Sequence, residues 1–163
     1  MKKIPFDLQT EVFTPKDIAK VLSLAVNEKN FTGNNKGEKF LNVPVSFDIE
    51  TTSFYRDVDG ETYSYERYMK LGGKQTKMEK CSLMYVWQFG INGFCIIGRT
   101  WDEFLLMLSE IVAILELCPK KRIIIYVHNL AYEFQFFREL LDWEKVFSID
   151  LRKPIYGITK TGL

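Results

Sequence analysis

The stretch Val43-Pro44-Val45-Ser46-Phe47-Asp48-Ile49-Glu50 decides how this chain reads. Its odd positions are apolar, the two-residue period of a strand with one face in a core. Phe47 and Ile49 then point inward, and Asp48 and Glu50 project side by side from the other face. Two neighbouring carboxylates repel, and at a half-buried site a cation between them relieves the cost; oxygen ligands of this kind suit Mg²⁺ or Mn²⁺. A bare D-x-E is far more often the outer face of an edge strand than a metal site. Here the pair ends an apolar strand and is followed by Thr51-Thr52, which favours the site.

Upstream, Thr14-Pro15-Lys16-Asp17 reads as a helix start, with Thr14 as N-cap, Pro15 at the first helical position, and Ile18, Val21, Leu22 and Ala25 as one apolar face. Residues 30–39, rich in Asn, Gly and Lys, read as an exposed loop. Residues 1–42 are thus expected to form an N-terminal extension with one helix and a polar loop, ahead of a second unit at 43–163. Downstream, residues 55–80 show no sustained period and read as a long insertion. Its second part, residues 66–80, sets Arg67 and four lysines against two glutamates and reads as a mobile basic loop.

The pattern recovers with residues 83–89, a turn at Gly90-Ile91-Asn92-Gly93 and residues 94–97, a β-hairpin. Residues 101–117 form an amphipathic helix with Asp102 and Glu103 in its first turn and Phe104, Leu105, Leu108, Val112 and Leu115 inward. The run Ile123-Ile124-Ile125-Tyr126-Val127 is long and apolar enough to predict a central strand covered on both faces. After His128-Asn129 a second amphipathic helix is expected over residues 130–141, and residues 147–159 return to short alternating segments. The order predicts an α/β fold: a mixed sheet with helices packed against it.

The second chemical candidate is His128-Asn129-Leu130-Ala131-Tyr132-Glu133-Phe134-Gln135-Phe136, at the carboxyl end of a strand, where open α/β sheets place ligands. Glu133, early in the helix, is positioned to aim its carboxylate towards Asp48 and Glu50. Plainer readings stand beside this one: Asn129 as N-cap, Glu133 as a dipole-favoured acid, Tyr132 and Phe136 as core. His128, the sole histidine, reads as a hydrogen-bonded structural residue more readily than as a ligand or base.

Composition narrows the function. With 163 residues, 47% of them apolar, the chain buries a core without disulfides or a structural metal. The 22 Lys and Arg nearly balance 21 Asp and Glu, which excludes a global basic field, so any polyanion is held locally. Cys81, Cys95 and Cys118 form no C-x-x-C pair, and neither a signal peptide nor an apolar run of the roughly 20 residues needed to cross a bilayer is present. A soluble, cytoplasmic protein with no membrane partner is expected.

Taken together, Phe47-Asp48-Ile49-Glu50-Thr51-Thr52 resembles the first exonuclease motif of the DEDD nucleases. The segment from His128 to Phe136 resembles the second, in the form found in protein-primed family B DNA polymerases of phages and linear plasmids. That resemblance implies a ribonuclease H-like sheet and a 3′→5′ proofreading exonuclease region, incomplete at the C-terminus because nothing in residues 148–163 matches the remaining motifs. It implies that Asp48, Glu50 and Glu133 are catalytic and bind two Mg²⁺ or Mn²⁺ ions, and that Thr51, Asn129, Tyr132 and Phe136 contact the single-stranded DNA 3′ end. It also implies partners: the rest of a polymerase chain and a terminal protein primer. Glu133 departs from the family's usual aspartate by one methylene. Two metal ions about 3.5–4 Å apart suit in-line displacement at phosphorus, and aromatic rings stack on unpaired bases without reading sequence. The alternative is a non-catalytic module that keeps the single-strand cleft on a degenerate exonuclease fold.

Overall fold

The computed structural model describes the strand residues Lys2–Lys3, residues 13–150 and residues 153–163. The rest of the N-terminal extension ahead of Phe13, and residues 151–152 within the expected alternating segments, lie outside the described residues.

In chain order the elements are β1 (Lys2–Lys3), α1 (Pro15–Ala25), β2 (Phe31–Gly33), β3 (Lys39–Leu41), β4 (Val45–Arg56), β5 (Thr62–Tyr63), α2 (Tyr65–Lys70), β6 (Glu79–Ile91), β7 (Phe94–Gly98), α3 (Trp101–Ile114), β8 (Lys121–Arg122), β9 (Tyr126–Val127), α4 (Leu130–Phe137), β10 (Trp143–Asp150) and β11 (Lys153–Thr159). The architecture is mixed α/β. The main sheet runs β1-β7-β6-β4-β5, with β9 also paired to β4. β4, β6 and β7 are antiparallel neighbours, whereas β9 runs parallel to β4 through Ser46↔Tyr126 and Phe47↔Val127. Two smaller sheets, β10-β11 and β2-β3-β8, complete the fold.

One face of the main sheet carries the core. Val45, Phe47 and Ile49 of β4, Trp87, Phe89 and Ile91 of β6 and Ile96 of β7 are buried there beneath α1 and α3. α1 starts as its sequence dictates: Pro15 occupies the first turn, and the Asp17 carboxylate accepts from both the backbone N–H and the hydroxyl of Thr14, at 2.8 and 2.7 Å. Ile18, Val21, Leu22 and Ala25 form its buried face. α3 begins with a reciprocal cap, Thr100 Oγ1 accepting from Glu103 N–H and Glu103 Oε2 accepting from Thr100 N–H. Its buried stripe is Phe104, Met107, Leu108 and Ile111. The helix is therefore rotated from its expected orientation: Leu105, Val112 and Leu115 sit at the margin of the core, and Met107 and Ile111 fill its centre.

Four other expectations are corrected. Residues 30–39 are not a loop throughout, because β2 and β3 form a hairpin closed by the turn around Gly37. β4 and β6 extend well past the expected strands, so the insertion is built on a long two-stranded ribbon carrying α2. α4 ends at Phe137, short of Leu141. The run 123–127 is not a central strand. Only Tyr126–Val127 pair with the main sheet, on the outer side of β4, and Ile124 and Tyr126 are 48% and 68% exposed. Apolarity reports the ability to be buried, and among the described residues no layer covers the outward side chains of Ile124 and Tyr126.

The β6–β7 turn is as its residues require. Asn92 and Gly93 both take positive φ, 44° and 83°, the backbone of a two-residue hairpin turn. Asn92 Nδ2 donates to Ala25 O at 2.6 Å, tying this turn to the end of α1. At the other end of β7, Gly98 lies against the ring of Trp87, which is fully buried and donates from Nε1 to Thr100 O at 2.8 Å. A methyl at position 98 meets that ring and the Glu103 carboxylate. Gly98→Ala is therefore expected to cost about 1–3 kcal/mol through overpacking. The urea unfolding midpoint measures it, and an unchanged midpoint would mean that Trp87 moves aside freely.

Candidate functional site

Alternation along β4 sends Phe47 into the core, where it packs on Phe104 and Phe137 with ring centroids 4.7 and 5.7 Å away. Asp48 and Glu50 consequently leave by the opposite face, Asp48 half-buried and Glu50 exposed. β6 contributes Gln88 and Val86 directly opposite them, and directly opposed residues of an antiparallel pair share a face. Gln88 is a site neighbour that the sequence does not announce, since its register against Asp48 depends on where a long ribbon closes.

α4 supplies the third acid. β9 runs parallel to β4 and stops level with Phe47, so the helix that follows starts beside Asp48. Asn129 caps it: Oδ1 accepts from Tyr132 N–H at 3.4 Å, and Asn129 N–H donates to Glu133 Oε1 at 3.2 Å. This reciprocal pair turns the Glu133 side chain back towards the sheet, where it is only 2% exposed. Its other oxygen, Oε2, is buried with no hydrogen-bond partner. Burial pushes the Glu133 carboxyl up to about 7; contact with the Asp48 carboxyl and its charge add to the rise, and the Asn129 N–H opposes it. Two acceptors face each other here, so a shared proton or a cation is needed between them.

The three acids do not all converge. Asp48 and Glu133 meet, whereas Glu50, on the same face of β4 as Asp48, is exposed. Among the described residues, no group of three or more His, Cys, Asp or Glu side chains is arranged to hold a metal ion. The Asp48–Glu133 pair nevertheless fits a hard divalent cation chemically: it offers carboxylate oxygens, one of them buried and unpaired.

The four expected strand-contacting residues gather around this pair. Thr51 Oγ1 and Tyr132 Oη are hydrogen-bonded at 2.7 Å, linking β4 to α4 just past the bulge that follows Glu50. The half-exposed ring of Tyr132 sits edge-on to Phe136, 5.3 Å away. Asn129 lies at the helix start, exposed. His128 is exposed too, and its ring makes no hydrogen bond among the described residues, contrary to the structural role expected for it. An apolar cavity of about 510 Å³ lies on the other side of Phe47, lined by residues such as Ile123, Ile125, Phe137 and Trp143 and by none of the acids.

The fold and site thus define a mixed α/β domain in which a buried glutamate and a half-buried aspartate meet beside an aromatic shelf. Among the described residues, no helix is long and apolar enough to cross a membrane. Compared with known protein families, curated proteins and solved structures, the chain matches none.

Proposed function

We propose that this chain is a ribonuclease H-like nuclease domain that removes nucleotides from the single-stranded 3′ end of DNA, as the exonuclease region of a protein-primed polymerase does. The observation that carries this reading is the Glu133 carboxyl, buried with Oε2 unpaired and set against Asp48. The sheet supports it: three antiparallel strands in the order β7-β6-β4, then β9 parallel to β4, is the arrangement expected of that fold.

Asp48 and Glu133 would hold Mg²⁺ or Mn²⁺, with Glu50 extending the acidic face along β4. A divalent cation bound there supplies water activation and neutralises charge at the phosphorus. Tyr132 and Phe136 offer rings on which a frayed terminal base stacks without sequence preference. Thr51 fixes the Tyr132 hydroxyl, and Asn129 holds α4 so that Glu133 points inward. A mispaired end melts more readily than a paired one, so it reaches this shelf more often.

The test uses a 5′-labelled single-stranded oligodeoxynucleotide with Mn²⁺. Stepwise shortening from the 3′ end, stopped by EDTA, is expected; a substrate left at full length by a chain that also binds no Mn²⁺ would sink the proposal. The exposed position of Glu50 favours a second reading, a non-catalytic single-strand-binding module. DNA binding without metal binding or shortening would select it.

A further inference from the structure

Beyond Glu50, β4 and β6 leave the body of the sheet as a paired ribbon ending at Arg56↔Glu79. Arg56 lies six residues along the strand from Glu50, so the ribbon reaches about 20 Å past it. Its end is built, not loose. Tyr68 of α2 stacks on Tyr55 of β4, 3.7 Å between centroids and 5° between planes, and both rings are buried. Ser64 caps α2, and Asp57 closes the β4–β5 turn by accepting from the Asp59 and Glu61 N–H groups and from the Tyr63 hydroxyl.

This arm carries six exposed cations: Arg56, Arg67, Lys70, Lys74, Lys77 and Lys80. None of them is in an ion pair among the described residues, although five other cations of the chain are. Three of the arm's acids, Asp57, Asp59 and Glu61, are gathered in the β4–β5 turn, and Glu79 lies across the ribbon from Arg56. Between residues 66 and 80 only Glu66 and Glu79 oppose five cations. Aromatic rings lie among the charges. Tyr65 is 59% exposed beside the Tyr55–Tyr68 stack, Arg67 lies over Tyr63 at 5.6 Å, and Arg56 lies over Phe54 at 5.8 Å.

We propose that this arm is a second nucleic-acid contact, tracking the phosphates of the strand upstream of the 3′ end bound at the carboxyl pair. Unpaired cations set around the exposed Tyr65 ring and the half-buried rings of Tyr63 and Phe54 suit a flexible polyanion that also carries flat bases, and an acidic protein would leave the Tyr65 ring unused. At about 3.4 Å per phosphate along a duplex strand, the arm spans roughly six phosphates, fewer if the strand is stretched. The choice of partner rests on the nuclease reading above.

The test is anisotropy of a labelled oligodeoxythymidylate with the full chain, across a salt series in EDTA, so that no cleavage intervenes. In the quadruple variant K70Q/K74Q/K77Q/K80Q the slope of log affinity against log salt should flatten by about 0.7 for each phosphate that is no longer neutralised, up to roughly 2.8. The corresponding quadruple Lys→Arg variant should restore it, which separates charge from folding. Tyr65→Ala should weaken binding about fivefold or more with the slope unchanged. A quadruple glutamine variant that keeps the wild-type slope overturns the proposal, as does polyglutamate competing as well as unlabelled oligonucleotide. A wild-type chain that shows the lysine-dependent slope but never trims would sink the nuclease reading and leave the arm; trimming by a chain whose slope ignores the lysines would do the reverse.

Discussion

Asp48→Ala is expected to lower Mn²⁺-dependent 3′ trimming by at least about a hundredfold while the protein keeps a cooperative melt. The magnitude follows from what a bound cation contributes at phosphorus, several kcal/mol, with each ~1.36 kcal/mol worth about tenfold in rate. Retention of the fold follows from the geometry. Asp48 points away from the core; its neighbours Phe47 and Ile49 supply the burial that holds β4, and they are untouched. Removing Asp48 also removes a negative group from beside Glu133, a relief and not a loss for the metal-free protein. Metal-dependent trimming that survives in Asp48→Ala would detach the chemistry from this pair. A variant that loses its cooperative melt would make Asp48 a structural residue.

The second large effect is a dependence of stability on pH that runs opposite to ordinary acid denaturation. Glu133 has its folded-state value raised from 4.5 to about 7, chiefly by burial. Below the unfolded value the group is protonated in both states, and its contribution to stability is complete. Between 4.5 and 7 the unfolded chain releases the proton while the folded chain keeps it, so stability falls as pH rises. The total loss is about 3 kcal/mol by pH 8, since each tenfold difference in proton affinity between the folded and unfolded chain is worth ~1.36 kcal/mol. Metal-free protein should therefore melt at a higher temperature at pH 5 than at pH 8, and Glu133→Gln should remove that difference. Mn²⁺ should restore stability at pH 8 in the wild type only, because the ion binds the folded, ionised pair. A wild-type melting temperature independent of pH between 5 and 8 would mean that Glu133 is not held in the neutral form. Asp17 and Asp57, whose values are lowered by hydrogen bonds from Thr14 and Tyr63, act in the opposite sense and only below the ordinary carboxylate range.

The pairing of Asp48 with Glu133 also explains why the site was only partly legible. The sequence placed each acid correctly within its own element: Asp48 on the outer face of an alternating strand, Glu133 in the first turns of a helix capped by Asn129. It also aimed the Glu133 carboxylate at Asp48 and Glu50, but could not tell that Glu133 reaches Asp48 and leaves Glu50 exposed, because that depends on where β9 ends against β4. The Thr51–Tyr132 hydrogen bond and the Gln88 register are of the same kind.

What the amino-acid sequence determined by itself were features decided within a few residues: the Thr14-Pro15 helix start, the two-residue alternation of β4, a hairpin turn within residues 90–93, which the structure narrows to Asn92-Gly93, and the Asn129 cap. Each follows from a φ preference, a side-chain period or a hydrogen bond between near neighbours. Tertiary structure alone decided that the run 123–127 lies at an edge, that α3 turns Met107 and Ile111 inward, that residues 31–41 pair, and that the basic segment rides on a ribbon. Those outcomes depend on contacts between residues far apart along the chain. Local preferences leave several of them nearly equal in energy until the sheet brings the partners together.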